Sequence, residues 1–310
     1  MAEYYLVPKS LARAFPALAR AAKWFEAQLL RSCFWLLERL SPERASAVTS
    51  AVFRILGPHS NKAKAVRRNL RVIYPEHTEQ EINAIGKNIF SYFGVAAAEL
   101  IKMRQIWEER DQRIEFDLSA AAQSHLDRGQ ATVFVTAHVG AWQLTNLISL
   151  HQGLIITTVY AAESNPALQR MFLQLRDAFG VKLLPSEAGV RPLMKELADG
   201  NSIGLAVDTR LDSGEPIPFF GVDALTNITA ARLALRSKAA LIPIRAERTT
   251  PGCFRISVYD PIEADATISD NNQRAIAMTA EVNQHFEKWI KETPEQWMCL
   301  KRRWPKSESS

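Results

Sequence analysis

Two stretches of the chain hold side chains whose types and spacing allow chemistry. The first is residues 132–143, TVFVTAHVGAWQ, which carries His138 into a turn at Gly140 and ends on Gln143. Imidazole titrates nearest neutrality of all side chains and suits the removal of a proton from a hydroxyl. The second is residues 207–221, VDTRLDSGEPIPFFG, in which Asp208 ends an apolar run and Arg210 follows two positions on. A carboxylate at such a place caps the following turn, and a guanidinium there pairs with a phosphate or with Asp208 itself. A lone histidine is more often a satisfied core residue than a base, so the reading depends on how these groups are positioned.

Thr132, Val133, Phe134, Val135 and Thr136 are β-branched or aromatic, as a strand packed on both faces requires. Gly140 allows a sharp exit, and residues 141–150, AWQLTNLISL, suit a helix. The ring then lies at the carboxyl end of a strand, where ligands of open α/β sheets bind. Strands are predicted over 131–137, 154–160, 203–207, 240–245 and 254–259, alternating with helices over 166–179, 191–198 and 228–237. Ser41, Thr78 and Thr293 read as helix starts, and Asn165 before Pro166 as an N-cap. Helices dominate up to about residue 103, and a long helix over 271–291 closes the fold. The predicted class is α/β: a layered mixed sheet flanked by helices, with a helical N-terminal region.

At 310 residues and 47% hydrophobic content the chain can bury a large core, and no Ser/Gly/Pro-rich linker divides it. Residues 41–305 read as one enzyme-sized domain, preceded by an amphipathic region over 1–40 and followed by a polar, disordered tail over 306–310. Cys33, Cys253 and Cys299 have neither metal-ligand spacing nor a disulfide framework. Residues 131–162 contain no Asp, Glu, Lys or Arg, yet His138, Gln143, Asn146 and His151 make them a poor membrane span. In the N-terminal region Arg13, Arg20, Arg31 and Glu38 fall near one line of a helical wheel, opposite Phe15, Leu18, Trp24, Phe25, Leu29, Leu36 and Leu37. Such a helix packs on the protein or lies in a membrane interface with its basic groups toward lipid phosphates. A second stripe, Lys64, Arg67, Arg68 and Arg71, shares one helical face. With a net charge of +5, an anionic membrane surface or an acidic carrier protein is the expected partner; no nucleic-acid motif accompanies the stripe.

His138 and Gln143 in HVGAWQ, the 207–221 block, and the series NKAKAVRRNL, YPEHTEQEI, Asn165-Pro166, PFFG, ARLALRSKAALIPI and PEQWMCLKRRW together resemble the lysophospholipid acyltransferase superfamily, and most closely its bacterial late acyltransferases of lipid A synthesis. The resemblance runs from about residue 41 to 304. It implies acyl transfer, without a metal or redox cofactor, from an acyl carrier protein or coenzyme A thioester to a lipid hydroxyl, with His138 as base and backbone N–H groups at the oxyanion. The implied location is the cytoplasmic face of the bacterial inner membrane. The resemblance also implies that Asp208 and Arg210 shape the acceptor site. Phe219, Phe220 and Gly221 then line an acyl entrance or form a rigid apolar turn, and Lys301, Arg302 and Arg303 contact phosphate or carrier, or form a basic surface.

Three residues depart from the family pattern: Gln143 stands where the dyad has Glu or Asp, Ala161 where an arginine often follows the tyrosine, and Thr209 where a glutamine often follows the aspartate. A glutamine oxygen can accept the ring N–H but brings no negative charge to an imidazolium. Either Gln143 orients His138 alone, or a carboxylate from elsewhere supplies the charge, Asp208 being the nearest motif candidate. The acceptor is a lipid A precursor, or another glycolipid or aminolipid. The rival reading is a catalytically silent lipid-binding relative. A serine hydrolase is disfavoured because no GxSxG elbow is present.

Overall fold

The structure, a computed structural model, describes residues 15–163 and 165–305; Arg13 and the tail over 306–310 lie outside the described residues. Helix α1 (Pro16–Glu38) starts at the proline, whose fixed φ and missing N–H suit a first helical position. In α2 (Pro42–Leu56) the Ser41 hydroxyl accepts the Arg44 N–H at 3.3 Å. Helix α3 (Ala63–Ile73) buries Ala63, Val66 and Leu70 and leaves Lys64, Arg68 and Arg71 exposed. A reciprocal Thr78/Glu81 capping box opens α4 (Glu79–Glu108). Helices α2 and α4 cross where Gly94 meets the backbone of Thr49. A Cβ on Gly94 would run into the Thr49 carbonyl, so glycine alone permits this approach.

The remaining chain alternates strand and helix: β1 (Ile114–Leu118), α5 (Ala120–Asp127), β2 (Thr132–Thr136), α6 (Ile148–Gln152), β3 (Ile156–Tyr160), α7 (Pro166–Arg176), β4 (Lys182–Pro185), α8 (Arg191–Ala198), β5 (Ser202–Ala206), β6 (Arg210–Phe219), β7 (Val222–Thr226), α9 (Thr229–Ser237), β8 (Ala240–Thr250), β9 (Cys253–Val258) and α10 (Asn271–Glu292). Seven strands form one sheet in the order β1-β9-β8-β2-β5-β3-β4, antiparallel only between β8 and β9, which is the expected mixed sheet. All five residues of β2 are buried. Val133 and Val135 join a core with α8, α9 and α10, while Phe134 faces a second core with Leu100, Met103 and Ile106 of α4. Helices therefore cover both faces of the central strand.

Sequence reading missed four strands. The edge strands β1 and β4 are short, and β6 contains Pro216, Pro218 and Gly214, which argue against a sheet strand. β6 and β7 form a separate two-stranded hairpin with a register shift between Arg210 and Glu215, where prolines interrupt no central ladder. Two predicted helix starts are corrected. After Ala141 the chain makes a 3₁₀ helix (Trp142–Leu147) before α6. After Thr293 it makes only a 3₁₀ turn (Pro294–Gln296), because Trp297 leaves it to form a β-bridge with Val139.

Beyond that turn the chain crosses the molecule and is held by buried polar side chains. Asn69 Nδ2 donates to the Cys299 and Lys301 carbonyls at 3.0 and 2.7 Å, and its Oδ1 accepts the Arg303 N–H at 2.9 Å. Arg303 reaches the Leu225 carbonyl at 3.0 Å and the Thr226 hydroxyl at 2.7 Å. Replacing Asn69 by Leu leaves these buried backbone groups unpaired, at about 1–3 kcal/mol for each group left unsatisfied. Asn69→Leu should lower the thermal midpoint by at least about 5 °C; an unchanged midpoint in a thermal scan would show that this lattice does not hold the segment.

Candidate active site

His138 is placed by the pairing of β2 with β5. Val133 pairs with Ile203 and Thr136 with Ala206, and the ladder continues in the Val207 N–H donating to the Thr136 carbonyl at 3.0 Å. Two residues further along, the same register sets His138 beside Asp208. His138 Nδ1 lies 2.6 Å from Asp208 Oδ1. The other carboxylate oxygen accepts the Trp297 indole N–H at 2.9 Å. Asp208 is 3% exposed, whereas the His138 side chain keeps 26%.

Burial alone would raise the Asp208 pKa, but the His138 charge, the ring hydrogen bond, the Trp297 N–H and a His138 backbone hydrogen bond outweigh it and hold the carboxyl ionised. On His138 burial works against the charged ring. The Asp208 charge and hydrogen bond overcome that and the Lys301 charge, and raise its pKa. An ionised Asp208 only accepts, so the neutral ring carries its proton on Nδ1 and leaves Nε2 as the basic nitrogen. Nε2 has no hydrogen-bond partner among the described residues.

The turn after His138 is fixed from three sides. Val139 N–H donates to Ala137 O at 2.7 Å, Gly140 N–H to Gln296 O at 3.2 Å, Ala141 N–H to Ala246 O at 2.9 Å, and Met298 N–H to His138 O at 2.8 Å. Gly140 has φ +64°, and a Cβ there would meet the Ala246 carbonyl. The three N–H groups following His138 are thus already engaged.

His138 lines a cavity of roughly 740 Å³, within the usual range for ligand sites. Its walls come from α1, α2 and α4 (Phe34, Leu37, Val52, Phe53, Ala97, Leu100), from the carboxyl ends of β2, β3 and β5, and from Trp142 and Met298. Beside it α1 and α2 expose apolar surface: Trp24 is 64% exposed and Ile55 65%, with Phe25, Leu29, Trp35, Leu36, Val48, Val52 and Leu56 between them. The N-terminal apolar stripe is therefore only partly packed on the protein. No helix of the described residues is long and apolar enough to cross a membrane.

The other predicted site residues divide. Gln143 lines the cavity, but its amide donates to Ala96 O at 3.5 Å and does not hold the His138 ring, whose Nδ1 partner is Asp208. Arg210 pairs with Asp212 at 2.7 Å, not with Asp208. Asn165 is an N-cap: Oδ1 accepts the Ala167 N–H at 3.1 Å, and Nδ2 ties α7 to α1 through Lys23 O and Glu26 Oε2, both at 3.0 Å. Phe219, Phe220 and Gly221 do not line the cavity. Phe220 and Gly221 have φ of 54° and 71° and join Phe219 to its partner Val222, as a two-residue hairpin turn requires. Phe219 is buried, stacked on Trp304 at 5.7 Å.

Arg303 is also buried, and burial pulls its pKa down to about 10. It braces the hairpin and is not a surface contact for phosphate or carrier, whereas Lys301 is exposed and Arg302 partly so. Trp297 was not singled out from sequence, although it lies within the PEQWMCLKRRW run. Cys299 nearby is no rival nucleophile, since burial pushes its thiol up to about 12.

Comparisons with known proteins place the chain in a family. The family described as bacterial lipid A biosynthesis acyltransferase matches residues 12–306. A phosphatidylinositol mannoside acyltransferase from Mycolicibacterium smegmatis is 28% identical over 186 residues, 58% of this chain and 59% of that protein, so less than two thirds of that relative's length is matched. A lipid A biosynthesis acyltransferase from Haemophilus influenzae is 22% identical over 277 residues, 86% of this chain and 84% of that protein. A lipid A biosynthesis lauroyltransferase from Escherichia coli is 27% identical over 250 residues, 78% of each chain. The chain belongs to the bacterial lipid A biosynthesis acyltransferase family.

Proposed function

We propose that this protein is a membrane-associated acyltransferase that moves a fatty acyl group from an acyl carrier protein or coenzyme A thioester to a hydroxyl of a glycolipid, either a lipid A precursor or a related lipid, at the cytoplasmic face of the bacterial inner membrane. The observation that carries the reading is the His138–Asp208 contact of 2.6 Å at the wall of a large apolar cavity. His138 Nε2 takes the proton of the acceptor hydroxyl as its oxygen attacks the thioester carbonyl. The tetrahedral intermediate expels the thiolate, and the imidazolium returns the proton to sulfur. Asp208 keeps Nδ1 protonated and stabilises the imidazolium, the work a carboxylate five positions after His138 would otherwise do. One Gln143 amide N–H reaches Ala96 O, and the second adds a donor to the same cavity for the developing oxyanion, the N–H groups of Val139, Gly140 and Ala141 being engaged. The acyl chain occupies the apolar space under α1 and α2.

His138→Ala should abolish transfer, and Asp208→Asn should lower turnover by up to about 10⁴, the order found when a triad aspartate becomes its amide. Gln143→Glu should lower turnover by roughly 10² through loss of a donor. A Gln143→Glu variant faster than wild type would mean that the dyad lacks its acid and that Asp208 has not replaced it. The rival of a silent lipid-binding protein is motivated by the missing acid at 143. It would be the better reading if the wild type consumed no acyl thioester when supplied with bacterial membrane lipids.

The raised His138 pKa sets a pH dependence. The base works when neutral, so kcat/KM should rise with pH and reach half its plateau above pH 6.5, the ordinary histidine value. Removing the Asp208 charge by Asp208→Asn lowers the His138 pKa and should move that midpoint to lower pH as the plateau falls. An unmoved midpoint would separate Asp208 from the titrating base.

The exposed apolar face generates a further expectation. A large apolar side chain withdrawn from water contributes about 2 kcal/mol. Changing Trp24, Phe25 and Ile55 together to Gln should weaken partition into anionic vesicles by at least about tenfold. Sedimentation unchanged from wild type would count against α1 and α2 as the membrane contact.

A further inference from the structure

One end of the cavity is not apolar. Glu163, just after β3, and Arg176, the last residue of α7, both line it. Neither is satisfied among the described residues. Arg176 makes no hydrogen bond and no ion pair within 4 Å among the described residues; its guanidinium rests 5.9 Å from the ring centres of both Tyr160 and Phe172. The Glu163 Oε2 atom is fully buried without a partner, as is Nε2 of Gln169, whose other amide atom accepts the Glu163 N–H at 2.6 Å. Burial pulls the Arg176 pKa down against the charges of Glu163 and Tyr160. It also pushes the Glu163 pKa up, opposed by Arg176 and aided by Glu26.

A charge withdrawn from water without a hydrogen-bonding partner is costly. An orphaned Glu163 oxygen and a guanidinium without a hydrogen bond on one cavity wall, with the unpaired Gln169 amide joined to the Glu163 backbone, mark a place where a ligand supplies what the protein withholds. The aromatic faces hold the guanidinium by cation–π contact and leave its five N–H donors free. That fork fits the oxygens of a phosphate better than any other common lipid group.

The strand order gives the reach. β5 lies between β2 and β3, so the carboxyl ends of β2 and β3 are two strand spacings apart, roughly 10 Å. A substrate with its reacting group at His138 can extend along the strand ends toward the Tyr160 end of β3, where Arg176 sits over the ring.

Resting on the acyl-transfer reading of this cavity, we propose that Arg176 and Glu163 are a recognition site for a phosphate-bearing substrate head, with Arg176 taking the phosphate oxygens and Glu163 a hydroxyl of the same molecule. The phosphate belongs either to the acceptor lipid or to the phosphopantetheine of the donor. Both sources present the same chemistry to the guanidinium.

The test measures transfer with four substrate pairs. A phosphorylated lipid A precursor, or the same lipid after phosphatase treatment, is combined with acyl-coenzyme A or with acyl-pantetheine, which has no phosphate. Arg176→Gln should raise KM by roughly 10- to 100-fold, as expected for hydrogen bonds to a charged group. Its kcat should stay within about threefold, and Arg176→Lys should recover part of the loss. If the acceptor phosphate is bound, the effect follows that lipid and vanishes after phosphatase treatment. If the donor phosphate is bound, it follows acyl-coenzyme A and vanishes with acyl-pantetheine. Glu163→Gln should raise KM for the same substrate. Inorganic pyrophosphate should inhibit the wild type competitively with that substrate, a measurement that stands even if Arg176→Gln folds poorly. Equal KM values for wild type and Arg176→Gln in all four pairs, or an equal loss with and without phosphate together with no pyrophosphate competition, would overturn the proposal. A wild type inert in every pair would instead sink the acyl-transfer reading. Binding of the His138→Ala protein to coenzyme A against pantetheine, and to vesicles with and without the phosphorylated lipid, would then decide the recognition site alone, and binding that depends on phosphate in neither comparison would overturn it.

Discussion

The site depends on the parallel register between β2 and β5. Side-chain direction alternates along a strand, so a slip of one residue would turn His138 or Asp208 to the opposite face. The observed pairing, Thr136 with Ala206, continues into the histidine turn and brings a base and a carboxylate from strands 70 residues apart to 2.6 Å. Both strands are held by apolar packing on each face, which leaves little freedom to change that pairing. The His138–Asp208 contact is thereby tied to the most buried part of the fold.

A second constraint acts from the C-terminal side. The Trp297 indole satisfies the second oxygen of Asp208, and the same segment accepts the Gly140 N–H and donates to the His138 carbonyl. A buried carboxylate with one partner would be poorly stabilised; with the ring, the indole and a backbone N–H around it, it stays ionised. Asn69 and Arg303 hold this segment from α3 and the β6–β7 hairpin, so groups far from His138 fix the charge beside it. α1 and α2 do the opposite kind of work. They close the cavity with one set of apolar residues and expose another.

Much of this was legible in the amino-acid order, because period and punctuation carry it. The five buried residues of β2, the Ser41 and Thr78 caps, the Asn165-Pro166 helix start and the span of α8 follow from local rules. The hairpin did not, since its prolines and Gly214 conflict with strand chemistry that matters only in a wider sheet. Within the site, the sequence left two partners for His138 open, Gln143 and Asp208. Gln143 is near His138 along the chain but its amide turns to Ala96, while Asp208 becomes a neighbour only through register. Arg303 looked like surface charge because a run of basic residues contains no signal for which member turns inward. Trp297 carried no local signal either; its role exists only once the C-terminal segment lies against the histidine turn.

The central claim is that Asp208, and not residue 143, is the charge partner of His138. Nitrogen-15 NMR of the histidine-labelled protein reads this directly, since the two ring nitrogens differ in shift according to which carries the proton. The account predicts that neutral His138 is the Nδ1–H tautomer in the wild type, and that this tautomer loses its dominance in Asp208→Asn while persisting in Gln143→Ala. A neutral ring protonated on Nε2, or a tautomer that responds to residue 143 and not to residue 208, would contradict it.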